Sequence, residues 1–249
     1  MSGHSKWATI RRKKEKTDAA RGRVFTKVIK EIVVAARNGG GDIDANPRLR
    51  VAVQAAKAVN MPQENITRAI KKGTGELPGT VYEEVTYEGY GPGGCAIYME
   101  GLTDNRNRTV AEIRHIFTRY GGNLAETNAV AYIFSRKALI EVLPGGKSED
   151  EIIEIALEAG AEDVNLDEDG AYSITGQPSD LETLRERFEE KGIEIETAEV
   201  SMIAKTSVPV DEKHVKSLMR LMEAFEEHDD IQRVYSNFDI SPELLESLE

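Results

Sequence analysis

Two properties of this sequence change together near Gly73, and the chain therefore reads as more than one domain. From Ala19 to Lys72 the apolar residues recur with the period of a helix. From Val81 onward, short strand-like runs alternate with helical ones. The sign of the charge changes at the same place. Residues 1–72 hold 17 Lys and Arg against 6 Asp and Glu, a net of +11; the remainder holds 15 against 38, a net of −23. The overall net charge of −12 and the pI near 5.0 thus conceal a basic module joined to an acidic body. Such segregation points to a polyanionic partner, nucleic acid above all.

The length of 249 residues suits one large domain or two to three small ones. No apolar run approaches the roughly 18–20 residues that span a bilayer. The basic N-terminus lacks the apolar stretch of a secretory signal. The single cysteine, Cys95, has no partner for an internal disulfide. The expectation is a cytoplasmic protein with no membrane step.

Residues Met1 to Asp18 form a basic arm whose Arg11-Arg12-Lys13-Lys14 run repels itself. From Ala19 to Arg37, Phe25, Val28, Ile29, Ile32, Val33 and Ala36 follow helical spacing, with Arg23, Lys27, Lys30 and Arg37 on the opposite face. Gly39-Gly40-Gly41 ends that helix. Asn46-Pro47 reads as N-cap and first residue of an alanine-rich second helix that runs to about Val59. A third helix spans Gln63 to Lys72, with Gly73 as its cap. Thr74 to Thr80 is a linker by composition.

The acidic body divides in two. Strands are expected at Val81–Glu88, Cys95–Leu102 and Val130–Phe134, with a helix at Arg108–Tyr120. Then β-α-β-β-α-β order, the ferredoxin-like arrangement, runs from Ala138 to Ile203. A helix from Asp211 to His228 and a strand from Ile231 to Ser236 complete the set begun at Val81. The fold class is α+β multidomain: a three-helix domain (1–77), a discontinuous α/β domain (78–135 and 205–249), and a ferredoxin-like domain (136–204) inserted in it.

Gly89-Tyr-Gly-Pro-Gly-Gly94 satisfies G-x-G-x-x-G, but a strand pattern follows it where a dinucleotide site needs a helix. A wide hairpin turn is the better reading. His4, His115, His214 and His228 show no ligand spacing, so no metal site is expected. His115 reads as a satisfied surface or core residue. Acidic pairs such as Glu83-Glu84 and Asp229-Asp230 read as solvated faces. No nucleophile or phosphate-loop motif is present, and neither an enzyme activity nor a cofactor is expected.

The candidate nucleic-acid contacts are Lys6, Trp7, Arg11, Arg12, Lys13, Lys14, Lys16, Arg21, Arg23, Lys27, Lys30, Arg37, Arg48, Arg50, Lys57, Arg68, Lys71 and Lys72. Two structural readings compete: a solvated charged surface, and partial neutralisation by the acidic domains. Lys27 and Lys30 are expected to be exposed. Trp7 and Phe25 are the only aromatics in the module, so recognition should rest on phosphates and groove shape. Thr103 to Thr109 is either a turn with an N-cap at Asp104, Asn105 or Asn107, or a second contact through Arg106 and Arg108.

Several segments resemble the YebC/PmpR family, which includes the mitochondrial translational activator of cytochrome c oxidase. They are Gly3-His-Ser-Lys-Trp7, Asp18-Ala-Ala-Arg-Gly22, Arg37-Asn-Gly-Gly40, Asn46-Pro-Arg-Leu-Arg50, Arg68-Ala-Ile-Lys-Lys-Gly-Thr-Gly75 and Thr103-Asp-Asn-Arg-Asn-Arg-Thr109. The resemblance covers the whole chain. One stretch departs from it: the segment after Gly-Gly-Asn-Leu reads Ala125-Glu-Thr-Asn-Ala129 where the family carries glycine and serine. The resemblance implies a three-domain, non-enzymatic, cytoplasmic regulator of gene expression. It carries two functions: a DNA-binding transcriptional regulator, or a ribosome-associated factor contacting ribosomal RNA that assists synthesis of proline-rich stretches.

Overall fold

The computed structural model describes residues 18–167, 170–241 and 244, with side chains from Gly22 onward. The first domain is three helices: α1 (Asp18–Gly39), α2 (Pro47–Ala58) and α3 (Gln63–Thr74). Their core joins Ile32, Val33 and Ala36 to Leu49, Ala52, Val53, Met61, Ile66 and Ala69. Burial runs unbroken from Ile32 to Ala36, more than one helix face can supply, so α1 is enclosed from more than one side. Asn46 caps α2, its side chain accepting from the Leu49 N–H. Its amide also donates to the carbonyls of Ala35 and Gly40, both at 2.8 Å, which ties α2 to the end of α1.

The end of α3 differs from the sequence expectation. The cap is Gly75, in the left-handed region at φ 83°, and Gly73 lies inside the helix. A Cβ at Gly73 would stand 2.5 Å from the Val33 carbonyl oxygen, so glycine there permits close packing of α3 on α1.

The second domain starts with the antiparallel hairpin β1 (Glu83–Tyr90) and β2 (Ala96–Thr103). The G-x-G-x-x-G segment is the hairpin turn, with a short 3₁₀ stretch at Pro92–Gly94. There follow α4 (Arg106–Arg119) and the two-residue β3 (Asn123–Leu124), which pairs with β1. The strand expected at Val130–Phe134 is instead a 3₁₀ turn at Ala131–Ile133. The next strand, β4, begins only at Phe134.

The third domain comprises β4 (Phe134–Leu143), α5 (Glu149–Glu158), β5 (Asp163–Leu166), β6 (Tyr172–Gly176), α6 (Leu181–Glu190) and β7 (Glu194–Ala204). Its sheet order is β5-β6-β4-β7 with every pair antiparallel, the ferredoxin-like arrangement. The chain then returns through β8 (Val208–Pro209), α7 (Glu212–Glu226), β9 (Ile231–Ser236) and β10 (Phe238–Asp239). β9 pairs with β2 and completes the order β3-β1-β2-β9, so the third domain is inserted in the second. Helices α4 and α7 cover one face of that sheet. Phe117 meets Phe225 edge-on, ring centroids 4.7 Å apart.

Candidate nucleic-acid interface

The sequence-predicted contact residues of the first domain fall into four groups. Lys6, Trp7, Arg11, Arg12, Lys13, Lys14 and Lys16 lie outside the described residues. Arg21 is in α1, with its side chain not described.

The second group faces the acidic body. Arg23 Nη2 pairs with Glu227 Oε1 at 2.9 Å. Lys27 Nζ donates to the Glu226 carbonyl at 2.7 Å. Lys30 Nζ donates to Asp230 Oδ1 at 2.6 Å and to the Asp229 carbonyl at 2.9 Å, beside the Tyr82 ring. The expectation that Lys30 is exposed does not hold: it is 7% exposed. Lys27 is partly buried. Helical periodicity correctly placed this face opposite the core stripe, yet a second domain and not solvent lies against it. The acidic body neutralises Arg23 and Lys30 through Glu227 and Asp230, and holds Lys27 through a backbone carbonyl.

The third group is tied down within or beside the first domain. Arg48 pairs with Glu31 and Glu84. Arg50 donates to the Asp44 carbonyl at 2.6 Å, and Arg68 pairs with Glu64 at the same distance. The fourth group is Arg37, Lys57, Lys71 and Lys72, all exposed and with no acidic partner among the described residues. Gly73 packs against Val33, Ala36 and Arg37, so the α3 end carrying Lys71 and Lys72 lies against the α1 end carrying Arg37.

At the start of α4, Asn105 is the N-cap and accepts from the Arg108 N–H. Arg108 is held by Asp230 at 2.6 Å and Asp104 at 2.9 Å, while exposed Arg106 lies 3.8 Å from Glu83. The turn and its cap are thus present, and Arg108 is ion-paired within the second domain.

Sequence reasoning missed Asp230. Asp229 is exposed, but Asp230 is 3% exposed. Besides Lys30 and Arg108, its carboxylate takes a hydrogen bond from Thr109 at 2.7 Å. Burial would raise this carboxyl, but the bonds from Lys30, Thr109 and Arg108 outweigh it and hold the group well below the usual carboxylate range. No pattern in the sequence announces this, because the partners arrive from α1, α4 and the strand end before it.

Glu112, His228 and Asp230 each place one potential ligand atom within 4.8 Å of the others. The grouping does not fit a cation. His228 Nε2 meets Glu112 at 3.0 Å, and its Nδ1 accepts the Asp230 N–H at 3.1 Å. Lys30 and Arg108 already neutralise Asp230. Cys95 is buried, and burial pushes its thiol up to about 11, away from the reactive thiolate. No helix of the described residues is long and apolar enough to cross a membrane.

Residues 5–76 match the TACO1/YebC protein N-terminal domain, and residues 82–238 the TACO1/YebC second and third domain. A probable transcriptional regulatory protein of Sulfurihydrogenibium sp. is 57% identical over 250 residues, covering all of both chains. Another so named, from Persephonella marina, is 55% identical over 249 residues, again across both full lengths. The crystal structure of a conserved hypothetical protein from Aquifex aeolicus superposes with a TM-score of 0.81 at 48% identity, covering 92% of this chain and 95% of that one. With both of its parts matched in order, the chain belongs to the TACO1/YebC family.

Proposed function

We propose that this chain is a nucleic-acid-binding regulator of gene expression, and that its first domain holds the phosphate backbone. The observation that carries this reading is that four cations of the first domain, Arg37, Lys57, Lys71 and Lys72, are exposed and have no acidic partner among the described residues of a chain with net charge −12. Helices α5 and α6 expose Glu149, Asp150, Glu182, Glu186 and Glu189, so the third domain repels the same ligand. The relatives are named probable transcriptional regulatory proteins, and we read this chain as a DNA-binding transcriptional regulator acting in the cytoplasm.

A second reading is favoured by one feature. The exposed cations come from the ends of α1 and α3 and from α2, not from one helix presented to a groove. Such a contour reads backbone shape and not base edges, and structured RNA offers that as well as duplex DNA. On this reading the chain is a ribosome-associated factor that contacts ribosomal RNA and assists synthesis of proline-rich stretches, as the family resemblance implies. Crosslinking in cells, with sequencing of bound DNA and RNA together, decides between them. Promoter DNA enrichment supports the first function and ribosomal RNA the second; neither above background sinks both.

A further inference from the structure

We propose that the Arg23–Lys27–Lys30 face of α1 is a second phosphate-binding surface, masked by the C-terminal end of α7, and that a nucleic-acid backbone displaces that end to reach it. This rests on the nucleic-acid reading above and adds a regulated step to it.

The present partners of this face are what a phosphate chain would offer. Arg23, Lys27 and Lys30 lie at i, i+4 and i+7, on one side of the helix. They bind the Glu227 carboxylate, the Glu226 and Asp229 carbonyls and the Asp230 carboxylate. The two carbonyls belong to the last turn of α7 and the segment just beyond it, where the helix dipole is negative. An acidic helix end thus sits where a polyanion would.

Separation leaves few groups stranded. A buried ion pair resists breaking chiefly because one charge is left uncompensated. Asp230 keeps Arg108 and Thr109 from its own domain when Lys30 departs. Lys30 passes from one anion to another, and Glu227 is already 54% exposed at its side chain. The seam is also not a sealed apolar joint. A cleft of about 820 Å³ runs along it, bordered by Thr26, Lys30, Tyr82, Arg108 and Glu227. The tether between the domains, residues 74–81, is exposed throughout. Polar interfaces of this kind permit relative domain motion.

The test uses the full chain with a short duplex DNA and a hairpin RNA as probes. Glu227→Lys removes the Arg23 partner and repels α1. Glu186→Lys, on the exposed face of α6, makes the same charge change away from the seam. Affinity should rise by about two- to fivefold more for Glu227→Lys than for Glu186→Lys, the scale of one exposed ion pair. Amide exchange at residues 227–231 should speed up when a probe binds the unaltered chain. Equal affinities in the two variants, with exchange at 227–231 unchanged or slower in the complex, would overturn the masked surface while leaving the nucleic-acid reading standing. Binding of neither probe by the unaltered chain or either variant removes both. Binding by Glu227→Lys alone supports the masking.

Discussion

Glu88 and Val130 are 42 residues apart, and the buried Glu88 carboxylate accepts the Val130 N–H at 2.7 Å. The same carboxylate accepts from Asn128 at 2.7 Å and Ala131 at 2.8 Å. One side chain therefore satisfies three backbone donors of the segment that leads from the second domain into the third. The Ala125–Ala129 stretch, which departs from the family pattern, is fixed by this contact, with Asn128 at φ 67°.

Glu88→Gln should therefore destabilise the chain by roughly 2–3 kcal/mol, because an amide replaces one acceptor oxygen with a donor that faces other donors. Thermal denaturation measures it. A melting temperature within a degree of the unaltered chain would show that the three bonds contribute little.

Gly73→Ala should cost about 1–3 kcal/mol, the scale of overpacking in a tight contact. The added methyl meets the Val33 carbonyl and the Ala36 methyl, so α3 must move off α1. Alanine normally favours a helix over glycine by about 1 kcal/mol. Denaturant titration of the variant reads the sign directly, and a gain in stability would mean the helices yield easily.

The helices, the inserted ferredoxin-like order and the cores were legible because periodicity reports which side of an element is apolar. Periodicity does not report what lies against the polar side. Lys30 reads as solvated by spacing, while it is covered by Asp230 some 200 residues away. Val130–Phe134 is apolar and β-branched enough to suggest a strand. Glu88 takes the Val130 and Ala131 N–H groups that a ladder would need, and the segment turns instead. Gly73 resembles a helix stop in sequence, because glycine signals close approach and termination alike.

Asp230 sets a pH dependence. Its folded pKa lies below the unfolded carboxylate value near 3.9, so its stabilisation is complete at neutral pH. That contribution fades only as pH falls below the unfolded value toward the folded one. Asp230→Asn should lower stability at neutral pH by roughly 3 kcal/mol, the low end for a broken buried pair because Arg108 can still reach solvent. The gap between variant and unaltered chain should stay constant from about pH 8 to 5 and narrow below about pH 4. A gap that closes on raising the pH instead would contradict the depressed carboxyl.

Two kinds of cation in the first domain should respond differently to the same substitution. Lys71→Gln with Lys72→Gln removes two exposed charges from the end of α3. Stability should fall by no more than about 1 kcal/mol, from the weaker interaction with the helix dipole. Binding should weaken across all sequences, with the slope of log K against log salt reduced by about two units, near one for each phosphate no longer neutralised. Lys30→Gln removes one charge from a buried pair. It should cost roughly 1–2 kcal/mol in stability, the scale of one charged hydrogen bond, because Asp230 keeps Arg108 and Thr109. Its salt slope should fall by about one unit if the masked face engages phosphates in the complex. Equilibrium binding at several salt concentrations, run beside thermal melts, separates the two effects. An unchanged slope for the Lys71 and Lys72 pair would mean that the joined ends of α1 and α3 do not touch the backbone, and the nucleic acid would then have to bind elsewhere on the chain.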